Sequence, residues 1–245
     1  MKNSGFQLVA MKSMQLSRAV ARLAGSSLRL AAVRPALRQA VRFSSNESSV
    51  TKDLTQRLNE EIEAEKRLEN ENLGGAAQPT VPGFQLKTKD AEVRLTKKHG
   101  PEEILVVFNV NHSVDVEEDD PNSDLAPTPV ALPPFSVEIT KGSQRLCFNM
   151  ILVETGDEDQ FDFRVEEFYV APAAKDGNED VADEVYASSG KYIDPNLHDV
   201  LFVRYLEERG IDAEFCRNLV QFATHYEHQK YVGLLSQIRD FVSKN

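Results

Sequence analysis

The run Phe135-Ser136-Val137-Glu138-Ile139-Thr140-Lys141-Gly142-Ser143-Gln144-Arg145-Leu146-Cys147-Phe148-Asn149-Met150-Ile151-Leu152 decides the fold. Before the turn, Phe135, Val137 and Ile139 alternate with Ser136, Glu138 and Thr140; after it, Leu146, Phe148, Met150 and Leu152 recur at the same spacing of two. Successive side chains of a strand point to opposite faces, so each half is a strand with one apolar side. Lys141-Gly142-Ser143 joins them, too short a link for a parallel crossover, so the two strands pair antiparallel.

The same period extends outward in both directions. Val93 and Leu95 alternate with charged or polar neighbours, as do Phe161, Phe163 and Val165. Ile104 to Phe108 is apolar on both faces, which predicts a central strand covered on both sides. Lys98-His99-Gly100-Pro101 is a second tight connection. Seven strands are expected, near 84–89, 91–99, 102–112, 135–141, 145–154, 161–171 and 184–188, in an antiparallel meander.

Helical periodicity brackets this region. Residues 48–72 carry Leu54, Leu58, Ile62 and Leu68 on a highly charged background, a stripe too narrow for a globular core, so this helix is expected to lie along another helix. Leu73-Gly74-Gly75 stops it. Asp194-Pro195 starts the next, with Leu197, Val200, Leu201 and Tyr205 as its apolar face. A further helix begins near Asp212, with Phe215, Leu219, Phe222 and Tyr226 on one side, and Tyr231 to Val242 places Leu234, Leu235, Ile238, Phe241 and Val242 inward. Helix, seven strands, then two or three helices make an α+β architecture.

Charge divides the chain. Residues 1–43 hold eight Lys or Arg and no acid, in an Arg-, Ser- and Leu-containing stretch with no run long enough to span a membrane. The segment reads as a mitochondrial transit peptide, with Val41-Arg42-Phe43-Ser44-Ser45 as the cleavage region. The expected division is therefore a leader over 1–44 and one acidic domain over 45–245, with its N-terminal helix at 48–72, its sheet at 84–188 and its C-terminal helices at 194–245. Past the leader the remaining 20 basic residues face all 39 acids, a formal net charge of −19.

The acids gather between the predicted elements. Asp115, Glu117, Glu118, Asp119, Asp120 and Asp124 lie in one run, Glu154, Asp157, Glu158, Asp159 and Asp162 in a second, and Asp176, Glu179, Asp180, Asp183 and Glu184 in a third. Such a field attracts basic proteins and divalent cations and repels phosphate, so direct high-affinity binding of nucleic acid is not expected. Glu117, Glu118, Asp119, Asp120, Asp157, Glu158, Asp159, Asp180 and Asp183 are the expected partner-binding charges. Glu117-Glu118-Asp119-Asp120-Pro121 lacks the alternating ligands and central glycine of an EF-hand loop.

Catalytic machinery is sparse. The sequence carries no phosphate-binding glycine loop, nucleophile elbow or dinucleotide fingerprint. Cys147 and Cys216 sit in apolar patterns and lack zinc-type spacing, so both are expected as buried thiols. His225-Tyr226-Glu227-His228 places two imidazoles three residues apart on a helix. A metal-dependent enzyme using His225 and His228, or a low-affinity buffer of divalent cations, are the alternatives to a binding protein.

The C-terminal sequences Asp199-Val200-Leu201, Tyr205-Leu206-Glu207-Glu208-Arg209-Gly210-Ile211 and Phe222-Ala223-Thr224-His225-Tyr226-Glu227-His228-Gln229-Lys230-Tyr231, with Val165-Glu166-Glu167-Phe168-Tyr169-Val170, carry a resemblance. Together with the basic leader and acidic body, the chain resembles the mitochondrial acidic matrix protein family, also called the mitochondrial glycoprotein family. The resemblance implies a strongly twisted seven-stranded antiparallel sheet flanked by helices, and three subunits in a ring with one acidic face. It implies that Leu54, Leu58, Ile62 and Leu68 pair with the helix bearing Leu234, Ile238 and Phe241, or make subunit contacts. It further implies a non-enzymatic adaptor and chaperone of the mitochondrial matrix that needs no cofactor. Its expected partners are basic proteins, especially ribosomal or RNA-binding ones, through which it supports mitochondrial ribosomes, translation and oxidative phosphorylation.

Overall fold

The computed structural model describes residues 48–73, 75, 77–115, 130–156, 160–174, 181–182 and 184–244. The expected leader over 1–44 lies outside them. Ser45–Asn245 is one compact unit, and the whole described core falls within it.

Helix α1 (Ser49–Asn72) is followed by strands β1 (Gln85–Lys89), β2 (Glu92–His99), β3 (Glu102–Asn109), β4 (Val114–Asp115), β5 (Val130–Ala131), β6 (Phe135–Lys141), β7 (Gln144–Glu154), β8 (Phe161–Pro172) and β9 (Ala187–Ser189). Seven of them form one antiparallel sheet in the order β1-β2-β3-β6-β7-β8-β9, while β4 and β5 pair separately. The expected meander is therefore present. The small β4–β5 ladder adds to it, since Val114, Val130 and Ala131 are too few to show a period. In the deciding hairpin Val137 faces Phe148, Ile139 faces Leu146 and Lys141 faces Gln144, with Gly142 in the turn at φ +61°. A positive φ suits glycine, which carries no Cβ to clash there.

One face of this sheet is the core. Val93, Leu95, Val106, Phe108, Phe135, Val137, Phe148 and Met150 are buried against Phe202, Leu206, Phe215, Leu219 and Phe222 from the C-terminal helices. Phe202 meets Phe148 and Phe168 edge to face, with centroids 6.1 and 5.2 Å away, a favourable arrangement for aromatic quadrupoles. The opposite face is only partly covered. Leu105 and Val107, expected to be enclosed on both sides, are half-buried within one subunit, beside polar Thr96, Ser136 and Glu138. Helices pack on the other face alone, which leaves these two apolar side chains partly exposed.

After β9 come a 3-10 turn (Gly190–Tyr192), α2 (Pro195–His198), a π-helical segment (Asp199–Arg204), α3 (Tyr205–Glu207) and α4 (Ala213–Val242). Asp194 caps α2 by accepting from the amides of Asn196 and Leu197 at 3.0 and 3.1 Å. The π segment widens the turn and rotates the buried stripe. Phe202 and Leu206 are buried, whereas Leu197 and Val200, expected inward at α-helical spacing, are half-exposed. Asp212 caps α4 through the Phe215 amide at 2.8 Å. From there α4 runs 30 residues without a break, one helix through Gly233.

Cys147 and Cys216 are buried and free. Burial pushes the Cys147 thiol up to about 11, with Glu138 adding to the effect, and burial pushes Cys216 up to about 12. Both thiols stay protonated in the fold, whereas an unfolded thiol ionises near about 8.5. Their contribution to stability is complete below that pH and is lost as pH rises toward the folded values. A disulfide reagent at pH 8 is expected to leave both thiols unmodified in native protein and to titrate both in denaturant. Rapid stoichiometric labelling of the native protein would contradict the burial.

Candidate functional site

Each acidic run is carried between described strands. β4 and β5 bracket 116–129, β7 and β8 bracket 157–159, and β8 and β9 bracket 175–180. Glu117, Glu118, Asp119, Asp120, Asp157, Glu158, Asp159, Asp180 and Asp183 themselves lie outside the described residues. The sheet register locates the strands that carry them. β3, β6 and the β7–β8 ends meet at one end of the sheet, where Phe108 faces Phe135, Phe135 faces Met150 and Glu154 faces Phe161. β8 reaches the opposite end, where Pro172 faces Gln144. Two acidic runs therefore leave from one end of the sheet and the third from the other.

The first of these stems touches α4. The Ala131 amide donates to Thr224 Oγ1 at 2.9 Å. One residue further along α4, His225 begins the contact with α1. The two helices run antiparallel, since Arg239 reaches Asn59 at 3.3 Å, His228 Nδ1 lies 3.4 Å from Glu65 and His225 Nε2 lies 3.8 Å from Glu69. The contact row on α1 is Leu58, Ile62, Glu65 and Glu69, at steps of four, three and four. On α4 it is His225, His228, Val232, Leu235, Arg239 and Val242, at alternating steps of three and four. This is coiled-coil spacing, in which the rows stay face to face along the pair.

Half of this seam is apolar and half polar. Leu58, Ile62 and Leu235 are buried together with Val232 and Val242 beside them. At the other end the His225 Nε2–H donates to the Gly75 carbonyl at 3.1 Å. Gly75, at φ +89°, also donates its amide to Glu69, so the helix stop doubles as a docking point for α4. The paired helix is the expected one, but its partner row differs. Leu235 makes the α4 side of the contact, whereas Leu234, Ile238 and Phe241 are 51, 37 and 77% exposed, and Leu54 and Leu68 are 40 and 44% exposed. Glu65 and Glu69 hold seam positions that an apolar stripe does not reveal.

His225 and His228 thus face separate glutamates on α1. Their remaining ring nitrogens, His225 Nδ1 and His228 Nε2, are buried without a polar partner. Among the described residues no group of three or more His, Cys, Asp or Glu is placed to hold a metal ion. Burial pushes Glu227 above the usual carboxylate range, and Glu65 adds to it. Tyr231 is raised by burial and then by Glu61, Glu65 and Glu227 around it.

Tyr231 also lines a groove of about 570 Å³ between α4 and the end of the sheet, with Asp90, Asn111, His112, Gly233 and Leu234. Asp90 and His112 adopt φ of +54°, the only non-glycine residues with positive φ among the described ones. Tyr226 donates to the Asp90 carbonyl at 2.6 Å and Lys230 Nζ lies 3.3 Å from its carboxylate, which pins this turn against α4.

A family model described as mitochondrial glycoprotein matches residues 58–242. The chain belongs to the mitochondrial glycoprotein family. The matched stretch opens on Leu58, the first buried residue of the α1 seam, and closes on Val242, the last residue of α4, so the helix pair lies within the family domain. Among members of this family, the chain is 68% identical over 200 residues to conserved regulator of innate immunity protein 3 of Caenorhabditis elegans, covering 80% of this chain and 85% of that one. It is 28% identical over 232 residues to the mouse mitochondrial complement component 1 Q subcomponent-binding protein, covering 89% of this chain and 82% of that protein. A solved Leishmania major protein, described as a sequence homologue of human p32, superposes with a TM-score of 0.57 at 20% identity, over 80% of this chain and 100% of that one. No described helix is long and apolar enough to cross a membrane.

Proposed function

We propose that this protein is a non-enzymatic acidic adaptor and chaperone of the mitochondrial matrix that captures basic proteins, ribosomal and RNA-binding ones foremost, and thereby supports mitochondrial translation and oxidative phosphorylation. The observation that carries this reading is the formal charge of −19 beyond residue 43, concentrated in three runs, one between the paired strands β4 and β5 and two between strands of the seven-stranded sheet. The mouse relative is named as mitochondrial and as a binding protein, which supports both location and class. Capture by such a surface is fast, weak contact by contact and screened by salt. A ring-shaped homotrimer would bring three sets of acidic runs together and strengthen the field accordingly.

The test is affinity purification from gently crosslinked mitochondrial matrix, with and without ribonuclease, read by quantitative mass spectrometry. Basic proteins are expected to co-purify, to persist after ribonuclease and to wash off as salt rises. Enrichment that vanishes with ribonuclease, or shows no bias to basic proteins, would refute direct capture.

A further inference from the structure

Five apolar residues that the fold leaves exposed share one side of the α1–α4 pair. Leu54 and Leu68 stand seven residues either side of Glu61, on one row of α1. Glu61 lies beside Tyr231, which begins the row Tyr231, Leu234, Ile238 and Phe241 on α4 at steps of three, four and three. This second row repeats coiled-coil spacing next to the one that α1 occupies. Its first two members, Tyr231 and Leu234, line the groove bounded by the Asp90 turn and the Asn111–His112 segment, and Ile238 and Phe241 continue the row beyond that groove, as the floor of a valley on the Glu61 side of α1. Gly233 lies on the groove-facing side, where an added Cβ would meet nothing within 4 Å. Glycine within a helix costs about 1 kcal/mol relative to alanine, and here no contact inside the subunit requires it.

We propose that this valley docks an amphipathic, basic helix of a partner protein as a third helix beside α1 and α4. This rests on the reading of the protein as a binder of basic proteins and names the apolar half of that recognition. The charge of the rim selects the occupant. The charges flanking the floor are Asp53, Glu60 and Glu61 on α1 and Glu227 on α4, against Lys244 beyond the end of α4, Arg57, which Glu60 holds at 2.8 Å, and Lys230, which Asp90 holds at 3.3 Å. A basic helix complements that rim. A second acidic α1–α4 pair does not.

The probe is a labelled peptide of residues 12–34 of this chain, which carries Lys12, Arg18, Arg22, Arg29 and Arg34 with Leu16, Val20, Leu23, Leu28, Leu30 and Val33 and no acid. Its control keeps every charge and replaces those six apolar residues by serine. Both are titrated into residues 45–245, the compact unit that lacks the probe's own sequence. The intact peptide is expected to bind more tightly than its control. The double variant Leu234→Ser/Phe241→Ser is expected to weaken the intact peptide about tenfold, leaving the control peptide's affinity, the thermal melt and the molecular mass unchanged. Equal binding of the two peptides, or an unaffected double variant, overturns the groove while leaving electrostatic capture standing. A change in subunit number in the double variant assigns the face to a second copy and also overturns it. Failure of either peptide to bind counts against capture of basic partners as well.

Discussion

Gly190→Ala is expected to cost about 3 kcal/mol of stability or more, the largest effect of any single added methyl group among the glycines described. A Cβ at this position would fall on the carbonyl oxygen of Val165, well inside contact distance, and 2.9 Å from its carbonyl carbon. Neither partner is free to move. Val165 is buried in the core and faces Met150 in the sheet register, directly beside the bulge at which Asn149 faces Glu167. The extra residue of that bulge, Glu166, is held by Arg164 at 2.6 Å and Lys191 at 3.4 Å, so the 3-10 turn bearing Gly190 is anchored to the same place. The bulge and the turn form one unit that closes the β8–β9 edge. Urea unfolding of the alanine variant should show a lower midpoint with an unchanged slope. A stability loss of less than about 1 kcal/mol would mean that the turn does not pack on Val165.

Arg209→Met is expected to destabilise by about 3 kcal/mol, through the carboxylate it abandons rather than through the contact it loses. Arg209 and Glu102 are both buried, joined by Nε and Nη2 to Oε2 at 2.8 Å. The guanidinium also donates to the Tyr205 carbonyl at 2.8 Å and lies 3.4 Å over the Tyr205 ring. Lys97 Nζ donates to the Arg209 carbonyl at 3.1 Å. The residue therefore fastens the end of the π-containing helical stretch to the β2–β3 turn. Without it, Lys141, at 3.6 Å, is the one cation left to Glu102 among the described residues. The double variant Glu102→Leu/Arg209→Met removes both charges together and should recover part of the loss, because replacing a buried pair costs less than breaking one. Double-variant stability equal to or below that of Arg209→Met would contradict this account of the site.

Much of this was legible because strands with one buried face announce themselves. Val137, Ile139, Phe148 and Met150 alternate with polar neighbours and are buried where the alternation places them. The same rule places β9 poorly. The edge strand is only Ala187–Ser189, and its position depends on Gly190 fitting under Val165, a tertiary contact with no period. The α1 seam is misread for a related reason. Hydrophobicity draws the eye to Leu54 and Leu68, while the seam continues through Glu65 and Glu69, whose partners His228 and His225 are 163 and 156 residues away in the chain in no recognisable pattern. The spacing of the two histidines, three apart and followed by Val232 and Leu235, is the signal that identifies a seam in hindsight. The π segment likewise has no signature in Asp199–Arg204, so the phase shift that buries Phe202 in place of Val200 belongs to the packing.

The partner-binding acids are a different case, because their function requires number and sign more than position. The sequence alone gives both, and the sheet supplies the strands that carry them. The decisive measurement replaces Glu117, Glu118, Asp119, Asp120, Asp157, Glu158, Asp159, Asp180 and Asp183 by asparagine or glutamine and repeats the ribonuclease-treated purification at two salt concentrations. Loss of basic proteins with an unchanged thermal melt is the predicted result, since those residues lie between strands. Retention of the same basic proteins, with the same salt dependence, would contradict electrostatic capture by the three runs.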